Sequence, residues 1–231
     1  FNGGTDEIGL TIGWSDTTGL KWKTEMPGEG YSTPIVVKGR IFLTTQIAGT
    51  KEHAAMAIRA SDGEVLWTKN VGSDSRRFPR NIMATPSPAS DAERVVFLFG
   101  NGDFLATDFD GNVLWRRNLE EEYGNIGLKF GYGSSPTCFE GRVYVPLIRR
   151  DEAWRAPRSD EPLKSLLLAF DPASGDVLFE VERPTDAQNE SMDSYCSPIP
   201  WLKPGDNEIL LLGADYLTGH DPVTGRELWR Y

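Results

Sequence analysis

The sequence predicts an all-β chain, a β-propeller of four-stranded antiparallel blades, and two observations carry that prediction. An internal repeat with two separate anchors runs along most of the chain. The most apolar stretches are also short continuous runs. Alternating runs mark strands buried on one face, whereas continuous ones mark strands buried on both.

The first anchor is an Asp- and Gly-containing turn followed by a strand ending in an aromatic residue. It occurs as AIRASDGEVLW (57–67), ATDFDGNVLW (106–115), AFDPASGDVLF (169–179) and GHDPVTGRELW (219–229). The second anchor is a small residue or two before proline: Ser32–Pro34, Ala84–Pro86, Ser134–Pro136 and Cys196–Pro198. Successive prolines are 52, 50 and 62 residues apart, and successive terminal aromatics 48, 64 and 50 apart. Two anchors that move together define a repeat of about 50 residues, the size of a four-stranded propeller blade.

Within each unit the elements follow in a fixed order. A short first strand follows the proline. A turn such as VKGR (37–40) or FEGR (139–142) leads into the apolar second strand: IFLTT (41–45), VVFLFG (95–100), VYVPLI (143–148) and ILLLGA (209–214). The third strand enters the Asp/Gly turn, and the fourth ends at the aromatic. The Asp is expected to close an Asx turn and the Gly to take a positive φ. Pro146 sits inside a second strand, where it cannot donate to the ladder, so a bulge or an early strand end is expected there. The blades fall at about 31–72, 83–120, 133–184 and 195–231 of a single domain spanning 1–231.

The segment GLKWKTEMPG (19–28) matches the end of a blade, with Trp22 in the place of Trp67 and Trp115. It reads as the outer strand of a preceding or closing blade. Blade four already has its own fourth strand, so a closed four-blade ring would have no slot for it. The expectation is an open arc of four blades, part of a larger ring, with Trp229 exposed on a face made for another blade. The partners expected therefore include a missing propeller half, in the same chain or another.

The aromatics at blade ends, Trp22, Trp67, Trp115, Phe179 and Trp229, are expected to dock against the next blade. A Trp buries about 150–250 Å² and carries one N–H in need of a partner, which a neighbouring turn carbonyl can supply. Phe179 has no such donor, so its boundary is expected to be purely apolar.

Composition bounds the function. The chain has 231 residues, with 24 Lys and Arg against 34 Asp and Glu, for a net charge of −10. An acidic surface repels phosphate backbones, so nucleic acid is not an expected partner. No stretch approaches the roughly 20 apolar residues of a membrane helix. Residues 1–10 have neither a basic start nor an apolar core, so no signal peptide is expected within them, a removed one being compatible with this sequence.

The pattern Ala-x-Asp-x-x-x-Gly-x-x-x-Trp resembles the repeat of quinoprotein-type β-propellers, a PQQ-like and BamB-like family. Ala169, Asp171 and Gly175 follow it closely with Phe179 for Trp, and blade four has Gly219, Asp221, Gly225 and Trp229. Blade one has Arg59 in place of Asp, and blade two is one residue short. The resemblance implies an intact ring of about eight blades and an exported, periplasmic or cell-envelope protein, with a scaffold that binds a protein or polymer partner. Its alternative implication is a degenerate or incomplete PQQ-dependent dehydrogenase, which would take PQQ and calcium. Those enzymes carry an adjacent Cys-Cys pair and a calcium ion held by acidic and amide side chains, with an Asp base nearby. This chain has only Cys138 and Cys196, so no cofactor is expected on the scaffold reading. No catalytic or metal-binding residue is assigned: His53 and His220 lie in different repeats, and the Asp/Gly turns lack the clustered carboxylates of a calcium loop.

The loops that join strand two to three, and one blade to the next, emerge on one face. They are GSDSRRFPRN (72–81), EEEYGNIGLKFGYG (120–133) and the enlarged RRDEAWRAPRSDEPLK (149–164). Arg76, Arg77, Arg80, Arg149, Arg150, Arg155 and Arg158 form a basic excess there, with Tyr123, Phe130, Tyr132 and Trp154 beside them. Arg with Trp and Tyr is the composition of contact hot spots. The alternative is that the arginines pair with nearby acids and the aromatics bury locally. Cys138 and Cys196 read as two buried thiols, offset by about 13 Å at about 3.3 Å per residue. That is beyond the Cα separation of about 7 Å that a disulfide spans, so both are expected free.

Overall fold

Four antiparallel sheets follow one another along the chain in the computed structural model, which describes residues 8–9, 13–126, 128–149 and 163–231. Sheet one comprises β1 (Gly28–Glu29), β2 (Ile35–Val37), β3 (Arg40–Ile47), β4 (Glu52–Arg59) and β5 (Val65–Ser73). Its β1 and β2 pair with opposite ends of β3, Gly28 opposite Ile47 and Ile35 opposite Phe42. Sheet two comprises β6 (Ala89–Ser90), β7 (Val95–Leu98), β8 (Asp103–Thr107) and β9 (Val113–Asn118), followed by the one-turn helix α1 (Leu119–Tyr123). Sheet three holds β10 (Thr137–Phe139), β11 (Arg142–Leu147), β12 (Leu166–Phe170) and β13 (Val177–Glu182). A 3-10 turn at Asn189–Met192 precedes sheet four, with β14 (Ile199–Trp201), β15 (Glu208–Gly213), β16 (Tyr216–His220) and β17 (Glu227–Arg230). Among the described residues, no helix is long and apolar enough to cross a membrane.

Each hydrophobic cluster is shared by two consecutive sheets. Phe42, Ala55 and Ala57 pack with Val95, Phe97 and Leu105; Val96, Phe104 and Trp115 with Val143, Val145 and Phe170; Tyr144, Leu167 and Ala169 with Ile209 and Leu211. The core therefore lies between sheet faces. This is why β7 and β12 are buried along their whole length while the outer strands β5, β9 and β13 expose Val65, Val113 and Val177.

One device repeats at each boundary. The blade-end aromatic lies beside a small residue of the third strand, Ala57 opposite Trp67 and Ala106 opposite Trp115. Its indole N–H donates to the next turn: Trp22 to the Ala60 carbonyl at 3.0 Å, Trp67 to Phe109 at 3.0 Å, and Trp115 to Pro172 at 2.9 Å. The turn glycine sits under the ring. A Cβ on Gly111 would lie 2.9 Å from the Trp67 ring, and one on Gly175 2.7 Å from Trp115. Both glycines also take φ near +80°, so only glycine fits. In the turns, Asp108, Asp171 and Asp221 each accept two backbone N–H bonds, as Asx turns do.

Four expectations are corrected here. The Phe179 boundary is not purely apolar: Tyr144 Oη, in the same sheet, donates to the Pro222 carbonyl at 2.7 Å. The hydroxyl takes over the work of the absent indole. Tyr144→Phe is expected to cost about 1–3 kcal/mol, because it leaves that buried carbonyl unpaired. On a Phe179→Trp background, urea denaturation should show a smaller loss, giving a coupling above about 0.5 kcal/mol. Additive losses would show that the two side chains do not share one acceptor.

Pro146 causes no bulge; it pairs in register with Leu167. Strand one has ended by that level, since β10 pairs only with Arg142, Val143 and Tyr144. The Pro146 carbonyl accepts from Tyr132 Oη at 2.7 Å on that side, and a residue's N and O point the same way in a strand, so no ladder N–H is lost.

Trp229 is half-buried rather than exposed, folded onto its own sheet. It donates to Glu208 Oε2 at 2.6 Å and meets Trp201 edge-on at 6.3 Å. The Leu20–Glu25 segment forms no ladder, yet Trp22 and Thr24 bond the turn of sheet one, at the Ala60 and Gly63 carbonyls. Hydrogen bonds join sheets one to two, two to three and three to four through the relay Thr33 N–H to Ser87 Oγ, Ser87 N–H to Ser135 Oγ and Ser135 N–H to Ser197 Oγ. Both cysteines are free thiols. Cys138 is partly buried and its pKa is pushed up to about 12 by burial, whereas Cys196 is exposed, against the expectation of two buried thiols.

His220 lies in β16, fully buried. Its Nδ1 donates to the Gly225 carbonyl at 2.9 Å, and its Nε2 faces Thr218 Oγ1 at 2.9 Å. Burial depresses its pKa, helped by the Arg183 and Arg230 cations and opposed by Glu227. A depressed folded pKa means stability that is full above the unfolded value of about 6.5 and is lost as pH falls through the folded one. The melting temperature should therefore drop from pH 7.5 to 5, and drop less in His220→Gln. An unchanged slope would exclude His220 as the source.

Candidate loop-face contact site

The loops leaving each sheet on the strand-four side interlock. Asn81 Nδ2 donates to the Gly131 carbonyl at 3.0 Å, and Phe78 fills the space a Cβ on Gly131 would need. Farther round, the Phe130 N–H meets Tyr195 Oη at 3.3 Å, and Lys129 pairs with Glu190. Three successive loops thus form one continuous surface.

Beneath it runs a polar network that starts at His53, in β4. His53 Nε2 lies 2.8 Å from Asp103 Oδ2, which also accepts from Asn101 Nδ2 at 2.8 Å. Asn118 Nδ2 donates to Asp103 Oδ1 at 3.2 Å. The Asn118 Oδ1 caps α1, accepting the Glu120 and Glu121 N–H groups at 3.0 Å. Burial opposes the Asp103 charge, but the bonds from His53 and Asn101 outweigh it and hold its pKa low.

The arginines singled out in the sequence separate into two groups. Arg76 makes a paired bond to Glu120 (2.8 and 2.7 Å) and another to Asp74 (2.9 and 2.7 Å). Burial works against its charge, yet those carboxylates raise its pKa above the ordinary guanidinium value. Arg149 is buried and has no carboxylate partner among the described residues. It donates to the carbonyls of Tyr123, Gly124 and Asn125 at the end of α1, and to Lys164. Burial lowers its pKa to about 10. Tyr132 is buried too, its hydroxyl held by Pro146. These three side chains are tied into the fold, which corrects their expected place on a contact surface.

Tyr123 is half-buried, with its pKa raised to about 12 by burial and then by Glu180. Arg77 and Arg80 are exposed and have no carboxylate partner among the described residues. Arg80 Cζ sits 5.7 Å from the Phe130 ring centroid, Lys129 Nζ 5.2 Å from the same ring, and the Tyr195 ring 6.2 Å away. Arg150, Trp154, Arg155 and Arg158 lie outside the described residues. Sequence reasoning missed Lys129 and Tyr195, along with Arg183, which ties sheet three to sheet four through Thr218 Oγ1 and the Tyr216 carbonyl, each at 2.9 Å. Nothing in their local sequence separates them from ordinary loop and strand residues; only the interlocking of loops brings them here.

A family model described as outer membrane protein assembly factor BamB matches residues 5–145, more than half of the chain. The chain belongs to this family. Among solved structures, BamB from Moraxella catarrhalis is 15% identical with a TM-score of 0.57, covering 91% of this chain and 54% of that one. A quinohemoprotein alcohol dehydrogenase from Comamonas testosteroni is 17% identical with a TM-score of 0.64, covering 91% of this chain and 36% of that one. A europium-containing methanol dehydrogenase is 12% identical with a TM-score of 0.59, covering 86% and 40%. The chain thus spans about half the length of that BamB and little more than a third of the alcohol dehydrogenase. At these identities the likeness is one of fold, the β-propeller. Among curated proteins no match is found.

Proposed function

We propose that this BamB-family chain belongs to a noncatalytic β-propeller scaffold of the cell envelope that binds a protein partner through its loop face. One observation carries the reading. Under that face Arg76 pairs with Asp74 and Glu120, and Asp103 is held by His53, Asn101 and Asn118, while Arg77, Arg80, Phe130 and Tyr195 remain on the surface above them. A scaffold needs such a rigid, internally satisfied base beneath its contact groups. The family's description as an outer membrane protein assembly factor supports a protein partner and an envelope location. On this reading a further blade covers the sheet-four face where Trp201 and Trp229 meet.

The dehydrogenase reading draws on the fold shared with quinoprotein enzymes. The described carboxylates of this face do not fit a calcium or quinone site as they stand. Asp103 is engaged by His53, Asn101 and Asn118, and Glu120 by Arg76 and the Ile126 N–H. A cation there would have to displace these partners. Calorimetric titration of the full-length protein with PQQ and calcium separates the readings. Tight binding of both would overturn the scaffold proposal; no heat with either is the expected result.

A further inference from the structure

We infer that the partner presents an acidic segment with an apolar side chain between its carboxylates, and that Arg77, Arg80 and Phe130 receive it. The inference rests on the loop-face reading and deepens it.

The charge pattern comes first. The chain has a net charge of −10, and two of its described loop-face arginines are committed elsewhere. Arg76 is spent on Asp74 and Glu120, and Arg149 is buried on backbone carbonyls. Arg77 and Arg80 are exposed, with no carboxylate partner among the described residues. Two free guanidiniums in an acidic protein attract carboxylates and gain from bidentate pairing.

The apolar part follows from Phe130. Its ring lies between Arg80 and Lys129, and Tyr195 holds the Phe130 backbone N–H while lying beside the ring. Phe130 is partly exposed, so it offers apolar surface to a side chain set between two acids. Asn81 fixes the loop of Arg80 against Gly131, next to Phe130. Arg80 and the aromatic are therefore already placed, which lowers the ordering cost of binding. Nucleic acid is disfavoured by the overall charge. An anionic bilayer is disfavoured too, because exposed Glu121 and half-exposed Glu190 share the face with the arginines.

The test uses the full-length protein and three probes: a fluorescent peptide of alternating Asp and Phe, the same peptide with Lys for Asp, and phosphatidylglycerol vesicles. The Asp–Phe peptide should bind, and binding should weaken at least about tenfold in Arg77→Glu/Arg80→Glu and fall with added salt. Arg226→Glu, in an exposed turn at the far end of sheet four, should bind like the unaltered protein, and all variants should melt alike. Equal binding of the Lys–Phe peptide, binding to vesicles alone, or an unchanged affinity in the double variant would overturn the inference. The loop-face reading is tested separately, by photo-cross-linking from position 130. If the double variant still cross-links a partner there, the acidic-segment inference falls and the loop-face reading stands.

Discussion

Trp115→Ala should destabilise the chain by about 3–5 kcal/mol, the cost of truncating a buried aromatic. The ring is 9% exposed and packs edge-on against Phe104 at 4.9 Å. Its N–H is the donor to the Pro172 carbonyl at 2.9 Å, and Gly175 has no side chain because the ring occupies that space. The substitution removes buried area and a cross-sheet hydrogen bond together, and leaves a cavity between sheets two and three. Trp229→Ala, where the same residue type folds onto its own sheet, should cost distinctly less. Urea denaturation of the two variants decides the point. Equal losses would mean that the repeated boundary contact adds nothing beyond burying an indole.

The second large effect is expected at Arg149. Replacement by Met keeps much of the stem volume but strands the carbonyls of Tyr123, Gly124, Asn125 and Lys164. A buried orphan costs about 1–3 kcal/mol; the Asn125 bond is buried and the other three are partly so, so a total loss of about 3 kcal/mol is expected. Removing a buried cation that lacks a carboxylate partner returns part of that cost. Arg149→Lys should not rescue, because one ammonium cannot span acceptors that a planar fork reaches. Amide exchange should speed up at residues 120–126, since Arg149 closes the end of α1. Arg80→Ala, in another loop of the same predicted basic face, should leave stability within about 0.5 kcal/mol. A neutral Arg149→Met would return that residue to the contact surface.

The contrast between those two arginines shows how far the sequence could be read. The repeat was legible because blade docking is periodic: Trp22, Trp67 and Trp115 each donate to a turn carbonyl, and Gly63, Gly111, Gly175 and Gly225 each lie under a ring. What broke the period was harder to see. Phe179 announced a missing donor, but nothing in VYVPLI said that Tyr144 would supply one from two strands away. Pro146 looked disruptive because its neighbouring first strand was assumed to run alongside it. On the loop face, composition identified a cluster of cations and aromatics but not their burial. Arg76 and Arg149 are drawn in because α1, a helix too short to show a period, brings Glu120 to the first and three carbonyls to the second, while Tyr132 is buried on the Pro146 carbonyl. Burial along a loop depends on which other loops cross it, and one sequence does not encode that locally.

The proposed binding of a partner at the loop face can be probed by placing a photo-reactive phenylalanine analogue at Phe130 of the full-length protein and irradiating intact cells. The same analogue at Val113, on the outer edge of sheet two, serves as the control. A single envelope protein cross-linked from position 130 and not from 113 is the predicted result. No adduct from 130, or the same adducts from both positions, would contradict it.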